Sequence, residues 1–405
     1  MPKPTKDDLL LLAIWLLVAG LIGGLSYVNP NQFTSPDSTY YLAFAGWLVG
    51  LDGNRYGHVS TGWDGTFPLG YPLLIGLLAK ATGLSLLVAS KVLNVGLVAV
   101  FLLIWRRRLG ARRAVWVGSV LLLGGFVRIL TYTWSEWTFL VLLLEWAWFM
   151  GHQTALPTYA TAARLLLVTM GLFLLRYVGG YVVIVYGLQA LWTYTRGAYG
   201  QASRDVFRQR IGPDVLYVAF SVGLMLGYFY LNARITPSAY GGERFYETAE
   251  TIWDKLLLIA IALPNELLLL RDYVIGEPTS LVWLGLVIQL GLGSWGWRIV
   301  WEKRATLPDE LPAEKAMLNW LLLSAGVYLT ILFTMRLFSP FNGPNARLMA
   351  PVTLPFLWLL AQYFSRWTNV ISRRQLGFWW TILLLCSWLQ LLPQADLLGK
   401  LGLGK

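Results

Sequence analysis

The chain has 405 residues, of which 57% are hydrophobic and only 13% charged, with a formal net charge of +11. About a quarter of the residues in soluble domains are charged, so half that share along the whole length excludes a string of soluble domains and indicates one all-α polytopic membrane domain. The positive balance follows from basic loops on one membrane face. There is no run resembling a nucleic-acid-binding tail and no P-loop, so neither nucleic acid nor a nucleotide is an expected ligand. With one cysteine, Cys386, and two distant histidines, His58 and His152, neither an intramolecular disulfide nor a histidine-rich zinc site is expected.

About 20 apolar residues cross a bilayer as a helix. Eleven segments are expected to do so: 9–28, 84–105, 114–131, 136–151, 160–175, 178–195, 213–232, 279–300, 316–335, 348–364 and 376–393. The first is longer than the apolar core of a cleaved signal peptide and is read as a retained span. Its polar neighbour, Ser35-Pro36-Asp37-Ser38-Thr39-Tyr40-Tyr41, opens a segment whose spacing suits an amphipathic helix in the membrane interface. Residues 68–82 are apolar but carry Pro68, Pro72 and Lys80, and residues 256–270 are broken by Pro264, Asn265 and Glu266.

Charge decides these ambiguous segments. The clusters at 106–113, 196–210, 298–315 and 366–374 all fall on the cytoplasmic side if the N-terminus is inside and exactly these eleven segments cross. Residues 68–82 are therefore expected as an interfacial helix on the outer face, and 256–270 as interfacial or re-entrant. Two long outer loops, 29–83 and 233–278, and short ones near 132–135, 176–177 and 336–347 then gather the acidic and polar residues of interest.

Asp37 leads the candidates. It places a carboxylate in water beside lipid; the structural alternative is that Asp37 or Ser35 only caps the helix that follows. Glu136, in Thr133-Trp134-Ser135-Glu136, lies at the outer end of the fourth span, where a helix dipole also favours an acid. Ionisable groups at membrane depth face a cavity or each other, so the two acids are expected to share one site. Arg176, followed by Tyr177, and Arg347 stand at outer helix ends; guanidinium suits a lipid phosphate, or simply snorkels to the interface. Arg128 and Arg336 are weaker versions of the same idea. In the first loop Asp52, Arg55, Tyr56, His58, Trp63 and Asp64 combine flat aromatic faces with polar groups suited to a sugar, or form a solvated loop. Tyr240, Glu243, Arg244, Tyr246 and Glu247 in the second loop are similar.

These motifs resemble the GT-C superfamily of integral membrane glycosyltransferases, in particular the protein-O-mannosyltransferase/aminoarabinose-transferase type of glycosyltransferase family 39. The resemblance rests on a first span followed by SPDSTYYLAFA, then FPLGYPLLIGLLAKATG, then a span ending WRRRLGARR, with ARLMAPVTLP late in the chain. It is strongest over residues 9–180. It implies a GT-C bundle of about eleven helices, with a catalytic module at 1–195 and more variable helices at 196–405. It further implies a polyprenyl-phosphate sugar as donor, a glycan, lipid or protein as acceptor, and an active site on the outer face of a bacterial plasma membrane. Asp37 takes the place of the family's first-loop acid and Glu136 that of its second-loop acid. Tyr40, Tyr41, His58, Asp64, Arg176, Tyr177 and Arg347 are expected to bind substrate. Asp37 is followed by Ser38 rather than a second acid, which leaves no cofactor assigned and dependence on a divalent cation open. Two other readings stand beside this one. A lipid-linked sugar flippase would need polar groups deep in several helices, for which Lys91 and Asn94 are the nearest candidates. A polysaccharide polymerase or ligase would work through Arg244 or Arg271.

Overall fold

The computed structural model describes residues 5–52, 62–63, 65–152, 158–197, 201–236, 239–240, 250–266, 280–303, 312–338, 345–366 and 370–391. Fifteen α-helices and no strand occur among them. They are α1 (Lys6–Val28), α2 (Pro36–Val49), α3 (Gly70–Thr82), α4 (Leu86–Leu109), α5 (Ala111–Ser119), α6 (Gly124–Thr131), α7 (Glu136–Gly151) and α8 (Tyr159–Leu175). The second half holds α9 (Tyr181–Gly197), α10 (Gln201–Ile235), α11 (Ile252–Glu266), α12 (Ser280–Lys303), α13 (Pro312–Phe338), α14 (Ala346–Ser365) and α15 (Val370–Ser387).

Among the described residues five helical segments are long and apolar enough to cross a membrane: α1, α4, Ile211–Ile235 of α10, Glu314–Phe338 of α13, and α14. On α1, Leu11, Ile14, Val18 and Ile22 recur at helical spacing and are buried, while Leu9, Leu12 and Leu16 are about half exposed. An apolar face turned outward is what a lipid solvent permits. In contrast, 67% of the spanning window of α14 is buried, against 22% for α1. α14 is therefore a central helix of the bundle, and what sits on its ends sits in the middle of the protein.

The segment 114–131, expected as one span, is broken within its length. Residues Ala111–Leu122 and Gly124–Thr131 meet at 73°. The break is at Leu123, whose backbone is extended. Gly124 then donates its N–H to Ser387 Oγ at 2.9 Å. A Cβ on Gly124 would lie 2.1 Å from the Ser387 carbonyl oxygen, so only glycine lets the two segments touch.

Within 68–82, Gly70–Thr82 form α3, a 13-residue helix packed between α2 and α4. At Gly76 a Cβ would fall 2.8 Å from the Ala45 carbonyl oxygen, so a missing side chain sets the close approach of α3 to α2. Residues 256–266 lie within α11; 267–270 lie outside the described residues.

Candidate active site

Four helix ends meet at one end of the bundle, and each carries a charge. Asp37 lies in the first turn of α2, Glu136 is the first residue of α7, Arg176 caps the C-terminus of α8, and Arg347 opens α14. Three of the four suit the helix dipole, which favours acids at N-termini and cations at C-termini. Arg347 stands at an N-terminus and is held there by two carboxylates.

The four side chains form one chain of ion pairs. Arg347 Nη1 donates to Asp37 Oδ2, and its Nε donates to Glu136 Oε1. Arg176 Nη1 donates to the same Glu136 Oε1. Glu136 is the buried centre, its side chain 2% exposed; Arg176 is 17%, Arg347 19% and Asp37 32% exposed. The site thus opens at Asp37 and closes at Glu136. The second oxygen of Glu136 is buried without a hydrogen-bond partner among the described residues. Burial works against the charge of Arg176, but the Glu136 carboxylate more than offsets it and its pKa lies above the ordinary arginine value.

Asp37 is not the cap of α2. Ser35 has extended backbone, and its hydroxyl accepts the N–H of Ser38, whose own hydroxyl accepts the N–H of Ser35. Pro36 then occupies the first helical turn, a position that needs no donor. The Asp37 carboxylate is therefore left for Arg347.

A polar network fixes α2 against the turn before α7. The Trp134 indole donates to Ser35 Oγ at 2.8 Å, and Ser38 Oγ donates to the Thr133 carbonyl at 3.0 Å. Lys91 of α4 donates to the carbonyls of Thr131 and Phe33 at 2.5 and 3.3 Å and to Thr133 Oγ1 at 3.1 Å. Asn94 donates to the carbonyls of Leu130 and Tyr132 at 2.8 and 3.3 Å. The half-buried Lys91 and the buried Asn94 of α4 thus hold backbone in place. The arginine is seated as well: the Arg347 guanidinium lies over the Trp134 ring at 4.6 Å from its centre, and Trp134 stacks on Tyr132 at 4.0 Å.

Of the expected binding residues, Tyr41 is brought into the cluster. It is buried, and its hydroxyl shares a 3.0 Å hydrogen bond with Ser135 Oγ, next to Glu136. Burial and then the Glu136 charge push its pKa up to about 12, so it is a neutral hydroxyl there. Tyr40 turns toward Phe67, with ring centres 6.0 Å apart. Tyr177 is directed away from the ion pairs: its hydroxyl donates to the Gly65 carbonyl and accepts from Asn232, both at 2.8 Å. Trp63 donates to the same Asn232 at 2.8 Å, so the first loop is tied to the end of α10. Arg336 is buried elsewhere, paired with Glu250 at 2.7 Å. His58, Asp64, Arg55, Tyr56, Glu243, Arg244, Tyr246, Glu247 and Arg271 lie outside the described residues. Trp134, Lys91 and Ser35 are the parts of the site whose importance the pattern of charges does not reveal.

No family model matches the chain, and no curated protein matches it. Solved structures do. ArnT from Cupriavidus metallidurans bound to undecaprenyl phosphate superposes with a TM-score of 0.52 at 17% identity, over 91% of this chain and 62% of that one. The same protein in the apo state gives 0.50 at 16% identity, over 92% and 61%. This chain therefore spans about three fifths of the length of ArnT. At such identity the likeness concerns architecture alone: the chain has an all-α, polytopic fold like that of ArnT.

Proposed function

We propose that the protein is a membrane glycosyltransferase that moves a sugar from a polyprenyl-phosphate carrier to an acceptor hydroxyl on the outer membrane face. The observation that carries this reading is the single ion-paired chain Asp37–Arg347–Glu136–Arg176, drawn from four distant segments to one end of a GT-C-like bundle. The undecaprenyl phosphate bound to ArnT supports a donor of this class. The basic clusters of the sequence support the outer face, since they place these four residues opposite themselves.

The chemistry follows from the order of exposure. The acceptor hydroxyl reaches the exposed end of the site, where Asp37 takes its proton as the oxygen attacks the anomeric carbon. The bond from that carbon to the phosphate oxygen breaks, and the pair of electrons leaves on the carrier phosphate. Arg347 and Arg176 stabilise the charge that develops there, because guanidinium binds phosphate through paired hydrogen bonds. Attack opposite the leaving group inverts the anomeric centre. Glu136, buried and bonded to both arginines, holds them in register and keeps them charged.

A divalent cation does not fit between the two acids. The Arg347 guanidinium already bonds Asp37 Oδ2 and Glu136 Oε1, so its charge stands where a shared metal ion would. No step is assigned to a metal.

The test is reconstitution in liposomes with a radiolabelled polyprenyl-phosphate sugar and a lipid or glycan acceptor. Wild-type protein should release polyprenyl phosphate with formation of the glycoside, and Asp37→Asn should not. Translocation of the intact lipid-linked sugar without transfer would favour the flippase reading instead.

A further inference from the structure

Asn232 lies in the last turn of α10, and its side chain is fully buried. Both ends of its amide are engaged. Oδ1 accepts the Trp63 indole N–H at 2.8 Å, while Nδ2 donates to the Tyr177 hydroxyl at 2.8 Å and to the Ala239 carbonyl at 2.9 Å. An indole only donates and a carbonyl only accepts, so the amide fits in one orientation. The three partners come from three segments. Trp63 belongs to the loop after α2, Ala239 to the loop after α10, and Tyr177 to the turn between α8 and α9.

Tyr177 is the neighbour of Arg176. The backbone of Arg176 is extended, which turns adjacent side chains to opposite sides. Arg176 therefore reaches Glu136 while Tyr177 reaches Asn232. The Tyr177 hydroxyl donates in turn to the Gly65 carbonyl at 2.8 Å. Two residues before Arg176, the Leu174 carbonyl oxygen lies 2.6 Å from where a Cβ on Gly70 would stand, so the start of α3 is closed against the end of α8. Beyond Gly65, Phe67 packs on Tyr41 with ring centres 4.6 Å apart, and Tyr41 bonds Ser135 beside Glu136. The amide thus joins the turn of Arg176 to a loop that packs on α2, the helix of Asp37.

On the transfer reaction proposed above, we infer that Asn232 is a positioning residue. Through Tyr177 and Trp63 it fixes Arg176 relative to α2, so that the guanidinium meets the leaving phosphate while Asp37 meets the acceptor. Tyr177 then serves the site through this amide and not by contact with substrate.

The experiment combines hydrogen-exchange mass spectrometry with steady-state transfer kinetics on the full-length protein in nanodiscs. Asn232→Leu removes all three amide bonds, and Tyr177→Phe removes those to Asn232 and Gly65. Both should speed amide exchange in peptides covering 65–69 and 176–180. Both should lower kcat about tenfold and change the donor KM less than about threefold, since misplacing a reacting group by about 1 Å costs up to about 10²-fold. In an Arg176→Lys background, Tyr177→Phe should lower kcat by less than about twofold more, because its effect runs through the placement of that side chain. A merely structural role would repeat the tenfold loss there. Thermal unfolding shows whether Asn232→Leu is folded; if it is not, Tyr177→Phe carries the test, since it deletes a single hydroxyl. Unchanged exchange, unchanged kcat, or the full loss repeated in the Arg176→Lys background would each overturn the inference. Absence of transfer in the wild type would overturn the reaction and this role together, and exchange, which needs no substrate, would still show whether the amide holds the loop.

Discussion

The Arg347 guanidinium rests on the face of Trp134, 4.6 Å from the ring centre, while the indole N–H of that same ring bonds the Ser35 cap of α2 at 2.8 Å. One side chain therefore fixes the arginine and the helix that carries Asp37. Trp134→Phe keeps the aromatic face but loses the bond to Ser35, and should lower kcat about fivefold, matching about 1 kcal/mol for one hydrogen bond. Trp134→Leu should cost a similar factor again, because a cation–π contact contributes about 0.5–2 kcal/mol. Steady-state kinetics check the order; Leu as active as Phe would mean that the ring face does not seat Arg347.

Asp37 is the most exposed of the four charges, and its carboxylate bonds Arg347 rather than the backbone of its own helix. Asp37→Asn keeps the shape and removes the base. Transfer should fall about 10²–10⁴-fold, the range for loss of a general base. Thermal unfolding of the variant should match wild type, because Ser35 and Ser38 cap α2 without it. A variant that transfers at the wild-type rate would end the assignment of Asp37 as base.

Glu136 has the opposite profile. It is almost fully buried between two guanidiniums. Glu136→Gln removes the only carboxylate that Arg176 meets in this ion-pair chain and leaves two cations in a low-dielectric site. Breaking a buried pair in this way costs about 3–5 kcal/mol. The melting temperature should drop sharply, and Arg176→Gln added to it should recover part of the loss. Purely additive effects in this double-mutant cycle would show that the two residues are not coupled.

Much of this site is legible in the sequence because charge is rare in it. In a chain with 13% charged residues, Asp37, Glu136, Arg176 and Arg347 stand out against apolar runs, and the distribution of arginines predicts one common face for them. Their pairing is not legible: Arg347 meets residues 211 and 310 positions away, and nothing local says which acid it reaches. The identity of the α2 cap was available, since Pro36 marks the first turn and makes Ser35 the cap. The break at Leu123 was not, because the apolar run continues through it and its cause is Ser387, far along the chain. Trp134 is one of 21 tryptophans, most of which a bilayer interface would explain.

Arg347 bonds both carboxylates that a divalent cation would share. Treatment with EDTA, followed by assay in metal-free buffer, should leave the transfer rate unchanged. Loss of activity that returns on addition of Mg²⁺ or Mn²⁺ would mean that donor binding draws Arg347 off the acids and opens a metal site.

The bend at Leu123 connects packing far from the site to the site itself. It aims α6 at the turn of residues 132–135, which carries Trp134 and leads into Glu136. It exists because Gly124 lies against the backbone of Ser387. Gly124→Ala puts a methyl group where a carbonyl oxygen already is, and rigid backbone on both sides leaves no flexible side chain to yield. A cost of about 1–3 kcal/mol in stability follows from such overpacking. The activity should fall as well, since relief of the clash swings α6 and moves Glu136 from Arg347. Ser387→Ala is the control: it removes the 2.9 Å bond from the Gly124 N–H and the hydroxyl's own 2.6 Å bond to the Leu384 carbonyl, a loss of about 1–3 kcal/mol, with the bend and the activity retained. Wild-type melting temperature and activity in Gly124→Ala would show that this contact does not set the course of α6.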